Sequence, residues 1–121
     1  MNKDPKDLQS RTRRFHINII KLCRKFPKDA AGFETAKQLI RSAGSVGANY
    51  RATARAKSYS DFSYKINVVL EEADESLYWL GVVKEAEICL ASELDELIRE
   101  ADQLTAIFTT ADKTAKAKLK K

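Results

Sequence analysis

The chain has 121 residues, a length that fits one domain with a single core. Apolar residues make up 44% and charged residues 32%, which is the composition of a globular protein rather than a disordered one. The polar start MNKDPKDLQS is unlike a signal peptide, and no run is apolar and long enough for a membrane span. Two cysteines and one histidine are too few for a disulfide framework or a histidine-pair metal site. We therefore expect a cytoplasmic protein with no cofactor and no metal.

The net charge of +5 conceals two oppositely charged parts. Residues 1–65 carry 15 Lys or Arg and 5 acidic residues, whereas residues 66–112 carry 2 and 12. Five further lysines follow. A basic surface of this kind favours nucleic acid or another polyanion. The alternative is that the two parts attract one another, within the fold or across subunits, and the composition leaves both interpretations open.

The first predicted helix spans about residues 6–26 and has one basic side. We expect Asp4 to cap it and Pro5 to occupy its first turn, and Phe26-Pro27 ends it because a residue before proline is disfavoured in a helix. Apolar residues recur every three or four positions and form one stripe toward the core. The opposite side collects the basic residues Arg11, Arg14, Lys21, Lys25 and Lys28.

The second predicted helix, about residues 33–56, has an unusually lean centre. Gly44 and Gly47 lie in its interior, where a glycine costs roughly 0.5–1 kcal/mol relative to alanine, so we expect a close helix contact or a kink there. If the helix is continuous, a basic sector roughly 80° wide passes over Gly44 and Ala48. That sector contains Lys37, Arg41, Arg51 and Arg55. A partner helix or a phosphate backbone would fit against its small-residue middle.

The third predicted helix, about residues 60–86, begins after Ser58 or Ser60 and is apolar on two sides. One side carries the core stripe. The second side carries Tyr64, Val68, Trp79 and Val82. We interpret this second side as an oligomer interface, because aromatic side chains are enriched where subunits meet. The alternative is that these aromatic rings lie half-exposed against long side chains of their own helix.

The fourth predicted helix spans about residues 93–111. Ser92-Glu-Leu-Asp95 has the spacing of an N-terminal cap, and the basic tail, residues 112–121, is expected to fray. Four amphipathic helices joined by short loops predict an all-α protein, an antiparallel up-down-up-down four-helix bundle. One such domain would account for residues 1–121.

The sequence offers little catalytic chemistry. Its dense carboxylates lack the Glu-x-x-His pairs of di-iron bundles and are interpreted as a solvated acidic face. Arg11 and His16 have an Arg-x-x-x-x-His spacing that is similar to the motif of HEPN-type ribonucleases, but they lie in the first helix and about 140° apart around it. We therefore expect no catalytic residues and no enzymatic activity.

The run QLIRSAGSVGANYRATARAKSYSDFSYKINVVLEEADESLYWL, with KFPKDAAGFETAKQLIRSA before it, resembles the 23S rRNA intervening-sequence proteins. The similarity extends from about Leu8 to Phe108. It implies a four-helix bundle in a ring-shaped homo-oligomer, commonly a pentamer, similar in fold to accessory proteins of diversity-generating retroelements that bind nucleic acid and a reverse transcriptase. Relatives often have proline at the position of Gly47, which implies a backbone break there. We expect Asn49 to hydrogen-bond across helices near that break.

Together these features predict a non-enzymatic oligomeric bundle that binds RNA or DNA backbone through basic faces of the first two helices. The expected partners are other copies of the chain, with a pentamer as the expected state, and nucleic acid or a nucleic-acid enzyme, but no membrane. One alternative is a structural or adaptor oligomer without a nucleic-acid role. The other is a HEPN-like ribonuclease.

Overall fold

The computed structural model describes the backbone of residues 5–120 and the side chains of residues 7–120. It contains four α-helices: α1 (Pro5–Cys23), α2 (Ala30–Ala52), α3 (Tyr59–Glu85) and α4 (Glu93–Leu119). A 3-10 turn, Thr53–Arg55, follows α2, and the described residues contain no strand. Each helix packs against the next, and α1 meets α4 more sparingly to close the bundle. The predicted all-α antiparallel four-helix bundle is confirmed.

The core is a stack of apolar layers between the four helices. The largest side chains with almost no solvent exposure come from all of them and include Phe15, Ile19, Leu22, Leu39, Ile66, Leu80, Leu104 and Phe108. One polar contact is buried among them, because the Ser42 and Ser76 hydroxyl oxygens lie 2.9 Å apart between α2 and α3. A hydrogen-bonded hydroxyl pair is tolerated in a core, whereas an unpartnered one would be costly. The pair fixes the register of α2 against α3.

Residues of the preceding loops cap the N-termini of α2 and α3. The Asp29 carboxylate accepts a hydrogen bond from the Gly32 amide at 2.8 Å, which caps α2. The Ser58 hydroxyl accepts one from the Asp61 amide at 3.0 Å, so the predicted cap of α3 at Ser58 is confirmed. The expected cap by Asp4 falls outside the described residues.

The predicted cap of α4 is wrong. Ser92 has helical backbone angles and its side chain makes no capping hydrogen bond. Asp95 instead forms an ion pair with Lys84 of α3, 2.9 Å away. The acidic first turn of α4 still suits the positive end of the helix dipole, so charge replaces the side-chain cap.

The C-terminal ends of α1 and α4 also differ from prediction. α1 ends at Cys23 rather than at residue 26, and turn residues lead from there to Pro27. α4 continues to Leu119, so the expected fraying of residues 112–121 is wrong for the part the structure describes. Its extension is anchored because the buried Asp112 carboxylate binds Lys116 at 2.9 Å and Asn67 at 3.3 Å. Ala115, 5% exposed, packs one turn further on.

The expected break at Gly47 is absent, since α2 runs without interruption from Ala30 to Ala52. Consequently Asn49 has no break to bridge. Its amide donates to the Ser45 carbonyl oxygen of its own helix at 2.9 Å, and the predicted hydrogen bond across helices is wrong. This local hydrogen bond forms because the side-chain amide of an Asn in a helix can reach the backbone carbonyl oxygen four residues earlier.

Candidate nucleic-acid interface

Gly44 and Gly47 lie on the side of α2 that packs against α1. A Cβ atom placed on Gly44 would be 3.0 Å from Nε2 of His16, which is too close for ordinary packing. A Cβ on Gly47 would be 3.5 Å from the Thr12 carbonyl oxygen, an ordinary contact. The lean centre of α2 therefore serves helix packing, and the expected close helix contact is confirmed.

The same contact leaves an open groove between α1 and α2, which we call the α1–α2 groove. Its volume is about 610 Å³. It is lined by Gln9, Ser10, Arg13 and His16 from α1 and by Gly44, Gly47, Ala48 and Arg51 from α2. The two helices thus contribute one arginine each to a groove with a small-residue floor. His16 packs over Gly44, and the rest of the floor, at Gly47 and Ala48, carries no bulky side chain of its own.

The exposed side of α1 continues the positive charge of this groove. It carries Arg13, Arg14 and Lys21, and Arg24 follows in the turn after α1. None of these residues forms an ion pair with a residue that the structure describes, and neither does Arg51. We call Arg13, Arg14, Lys21, Arg24 and Arg51 the open basic face. Because they are exposed and form no ion pair with a described residue, their charges are available to an external anion.

Three of the predicted basic residues are already paired within the chain. Arg11 donates from Nε and Nη2 to the two carboxylate oxygens of Glu100 at 2.7 and 2.8 Å, and also to Gln103 at 2.7 Å. Its hydrogen bond to Glu100 raises the pKa of Arg11 further. Lys25 pairs with Glu93 of α4.

Arg41, the third, turns toward α3 instead. It pairs with Glu72 at 3.3 Å and also with Glu75. Arg11, Lys25 and Arg41 therefore show the two oppositely charged parts of the chain attracting one another inside the fold. Arg41 does not join Arg51 at the α1–α2 groove, although the two share a sector of the same helix.

The other predicted basic residues are exposed but dispersed. Lys37 lies on α2 and Arg55 in the 3-10 turn, and neither lines the α1–α2 groove. Arg14 and Lys21 border a second groove, of about 610 Å³, between α1 and α4. Its opposite wall is acidic, with Glu93, Glu96 and Glu100. This second groove is electrostatically mixed, so the α1–α2 groove is the more uniformly basic of the two.

Sequence reasoning missed Arg13 and Arg24. For Arg24 the signal was available, since Arg14, Ile17, Lys21 and Arg24 follow one another at intervals of three and four residues along the exposed side of α1 and into the turn after it. The prediction included Arg11 in the basic side because helical angles alone do not say which neighbouring helix carries carboxylates. In the structure, unpaired basic residues of α1 lie on its α2 side, where Arg13 lines the α1–α2 groove.

The Arg11–His16 pair is not brought together. Arg11 faces α4 through Glu100, whereas His16 packs over Gly44 of α2. The two side chains therefore lie on different sides of α1, and within one chain they do not converge on a common phosphodiester. The described residues also contain no group of three or more His, Cys, Asp or Glu placed to hold a metal ion.

The predicted interface residues of α3 have unequal exposure. Tyr64 is 69% exposed, whereas Val68, Trp79 and Val82 are half-buried and Trp79 packs against the core. Tyr78, which the prediction omitted, is 62% exposed and meets the Trp79 ring edge-on with the ring centroids 5.2 Å apart. The exposed aromatic area of α3 therefore belongs mainly to Tyr59, Tyr64 and Tyr78.

These features define a small antiparallel four-helix bundle with one open basic side. Among the described helices, none combines the length and the apolarity that crossing a membrane requires. The chain belongs to the 23S rRNA-intervening sequence protein family, whose pattern matches residues 6–110.

The fold is also similar to a crystal structure of a protein from the S23 ribosomal protein family of Bacteroides thetaiotaomicron. The TM-score is 0.80 and the sequences are 26% identical, over 90% of this chain and 97% of that one. That relative is itself described as a protein with unknown function. No curated protein matches the sequence.

Proposed function

We propose that this protein is a non-enzymatic, oligomeric bundle that binds the phosphate backbone of nucleic acid through the open basic face. The observation that carries the proposal is the placement of Arg13 and Arg51 on opposite sides of the α1–α2 groove, both exposed and both without an ion pair among the described residues. Arg11 and Arg41, by contrast, are paired with carboxylates of other helices. No acidic residue is among those that line the α1–α2 groove, so two unpaired arginines face each other there without a carboxylate, which supports a role for an external polyanion.

The groove suits a phosphate for a second reason, which is access. A phosphate group can approach the floor at Gly47 and Ala48, where arginine guanidinium groups on both walls can reach its oxygens. Contacts of this kind position a nucleic acid without reading its bases. The binding should therefore be independent of sequence and should weaken steeply with salt, because each neutralised phosphate releases a counterion.

The test is retention of labelled RNA and labelled DNA on a filter by two matched double variants. Arg13→Glu with Arg51→Glu reverses two charges at the groove. Arg99→Glu with Lys113→Glu reverses two exposed, unpaired charges on α4 and serves as the control. We expect the first variant to lose retention by at least about tenfold and the control to retain most of it. Equal retention by both variants would contradict the proposal.

The proposal includes a homo-oligomer, with the pentamer implied by the family resemblance as its expected state. The exposed rings of Tyr64 and Tyr78 on α3 support an interface on that helix, since isolated bundles rarely display such aromatic area without a partner. A ring of copies would repeat the open basic face around a nucleic acid or beside a nucleic-acid enzyme. We place this activity in the cytoplasm, in keeping with Cys23 and Cys89, which form no disulfide.

A structural oligomer without a nucleic-acid role is the second candidate. It is favoured by the ion pairs Arg11–Glu100, Lys25–Glu93 and Arg41–Glu72, which already use part of the basic charge inside the fold. In this case the absorbance ratio of the purified oligomer would show no copurifying nucleic acid. Purified protein is expected to leave RNA intact, and cleavage that His16→Ala abolishes would favour the ribonuclease alternative.

A further inference from the structure

Gly81 is the one glycine of the described residues whose presence nothing in the folded chain explains. A Cβ on Gly32 would meet the Pro27 carbonyl oxygen at 2.0 Å, and Gly44 and Gly47 lie against α1. Around a Cβ on Gly81, by contrast, none of the described atoms lies within 4 Å. The residue occupies the interior of the 27-residue helix α3, where glycine costs roughly 0.5–1 kcal/mol relative to alanine. Close approach by something outside this chain would account for it.

Gly81 lies in a regular stripe along α3, which we call the acidic stripe. Its members are Glu71, Asp74, Tyr78, Gly81 and Glu85, spaced alternately by three and four residues so that they follow one side of the helix. The carboxylates of the stripe form no ion pair with a described residue. Tyr78 stands at its centre, braced by its contact with the Trp79 ring. The stripe thus presents one aromatic ring between unpaired acids.

A complementary surface lies where the α2–α3 connection meets the end of α4. It is an apolar groove of about 700 Å³. Tyr59 and Phe62 of α3 and Ala111 and Ala115 of α4 line it, with Lys57 and Lys118 among its lining residues. Tyr59 is 74% exposed, and neither lysine side chain forms an ion pair with a described residue. We call this surface the end groove.

We infer that the acidic stripe of one copy packs into the end groove of a second copy. The Tyr78 ring fills the apolar part, Asp74 and Glu85 reach Lys57 and Lys118, and Gly81 lets the partner approach the α3 backbone. Pairing of two end grooves would bring four lysines together, and pairing of two stripes would bring carboxylates together. Charge therefore selects a contact between unlike surfaces, a heterologous interface. This inference rests on the homo-oligomer of the proposed function.

The first experiment uses two variants that act on opposite sides of this contact. Gly81→Gln places a side chain in space that is open within the subunit, so the thermal unfolding temperature of the dilute protein should hold or rise. Sedimentation velocity over a range of concentrations should nevertheless show self-association weakened by about tenfold or more, because the side chain blocks the partner. Lys57→Glu with Lys118→Glu should weaken it similarly from the groove side.

A mixture of the two variants gives the sharper result. Each fails alone, but the intact groove of the Gly81→Gln chain can accept the intact stripe of the other, so the mixture should form one-to-one pairs. Arg99→Glu with Lys113→Glu again serves as the charge control and should associate like the unmodified protein. Unweakened association in Gly81→Gln, or a mixture that fails to pair, would overturn the inference. If the unmodified chain stays monomeric at every concentration, both this contact and the proposed homo-oligomer are wrong, whereas an oligomer that persists in the variants contradicts the contact alone.

Discussion

Arg11 of α1 donates hydrogen bonds to both carboxylate oxygens of Glu100 of α4, at 2.7 and 2.8 Å, although the two residues are 89 positions apart in the sequence. A two-pronged contact of this type fixes direction as well as distance, because the planar guanidinium matches the planar carboxylate. It holds α1 to α4, which α1 contacts more sparingly than it contacts α2. Arg11, which sequence spacing assigned to the basic side of the first helix, therefore makes a structural contact, and the open charge lies on Arg13, two positions further along.

Substitution of Arg11 should consequently change stability, whereas substitution of Arg13 should change RNA binding. Arg11→Gln is expected to lower the free energy of unfolding by about 1 kcal/mol while leaving RNA retention nearly unchanged. Arg13→Gln should leave the free energy of unfolding within about 0.5 kcal/mol and reduce RNA retention. Urea denaturation and filter binding on the same preparations measure both effects. If both variants lose retention equally, the nucleic-acid surface extends to the α4 side of α1.

The glycines predict a graded series of stabilities. Gly44→Val should lower the free energy of unfolding by about 1–3 kcal/mol, because its Cβ would lie 3.0 Å from the His16 ring. Gly81→Ala should raise the free energy of unfolding by about 0.5–1 kcal/mol in dilute protein, because alanine is the better helix former and no described atom opposes it. Gly47→Ala is the intermediate control, since its Cβ would make an ordinary contact at 3.5 Å. Equal tolerance of Gly44→Val and Gly81→Ala would contradict the close contact between α1 and α2.

Acid should weaken the fold through its surface ion pairs. Hydrogen bonds from Lys25, Lys84 and Lys65 lower the pKa values of Glu93, Asp95 and Asp61 respectively. A carboxylate whose pKa is lower in the folded state contributes its full stability above its unfolded pKa, about 4, and loses it as the pH falls through the folded value.

Urea denaturation from pH 6 down to pH 3 should therefore show stability falling below about pH 4. Lys84→Gln provides the matched control, because Asp95 then loses the hydrogen bond that lowers its pKa and the pH dependence should become shallower. Added salt should flatten it as well, since these groups are exposed and screened. A pH dependence that is identical in Lys84→Gln would show that the Lys84–Asp95 pair contributes nothing measurable.

The periodic elements could be predicted because each depends on local spacing. The stripe that contains Phe15, Ile19 and Leu22 requires a helix with one buried side, and the structure buries all three. The cap at Ser58 was predictable for the same reason, since a cap involves residues only three positions apart. The short loops between the helices predicted the antiparallel bundle and the family resemblance implied the same arrangement, which the structure confirms.

The errors arose where distant residues decide the outcome. Asp95 has a partner in Lys84 of the preceding helix, and that partner overrides a capping motif read from four consecutive residues. Asp112 binds Asn67, 45 positions earlier, which anchors a tail whose composition alone suggested fraying. Arg41 shares a sector with Arg51 but turns toward Glu72. Spacing along one helix fixes an angle, whereas the neighbour at that angle depends on the packed fold.

α4 extends beyond the segment of the chain that matches the family. The family pattern ends at residue 110, yet α4 continues to Leu119, roughly 13 Å farther at the rise of an α-helix. The side of the end groove formed by Ala111, Ala115 and Lys118 lies entirely in this added length. A chain cut after residue 110 would keep the segment shared with the family and lose that side. This side of the end groove therefore depends on helical turns that lie outside the segment matched to the family.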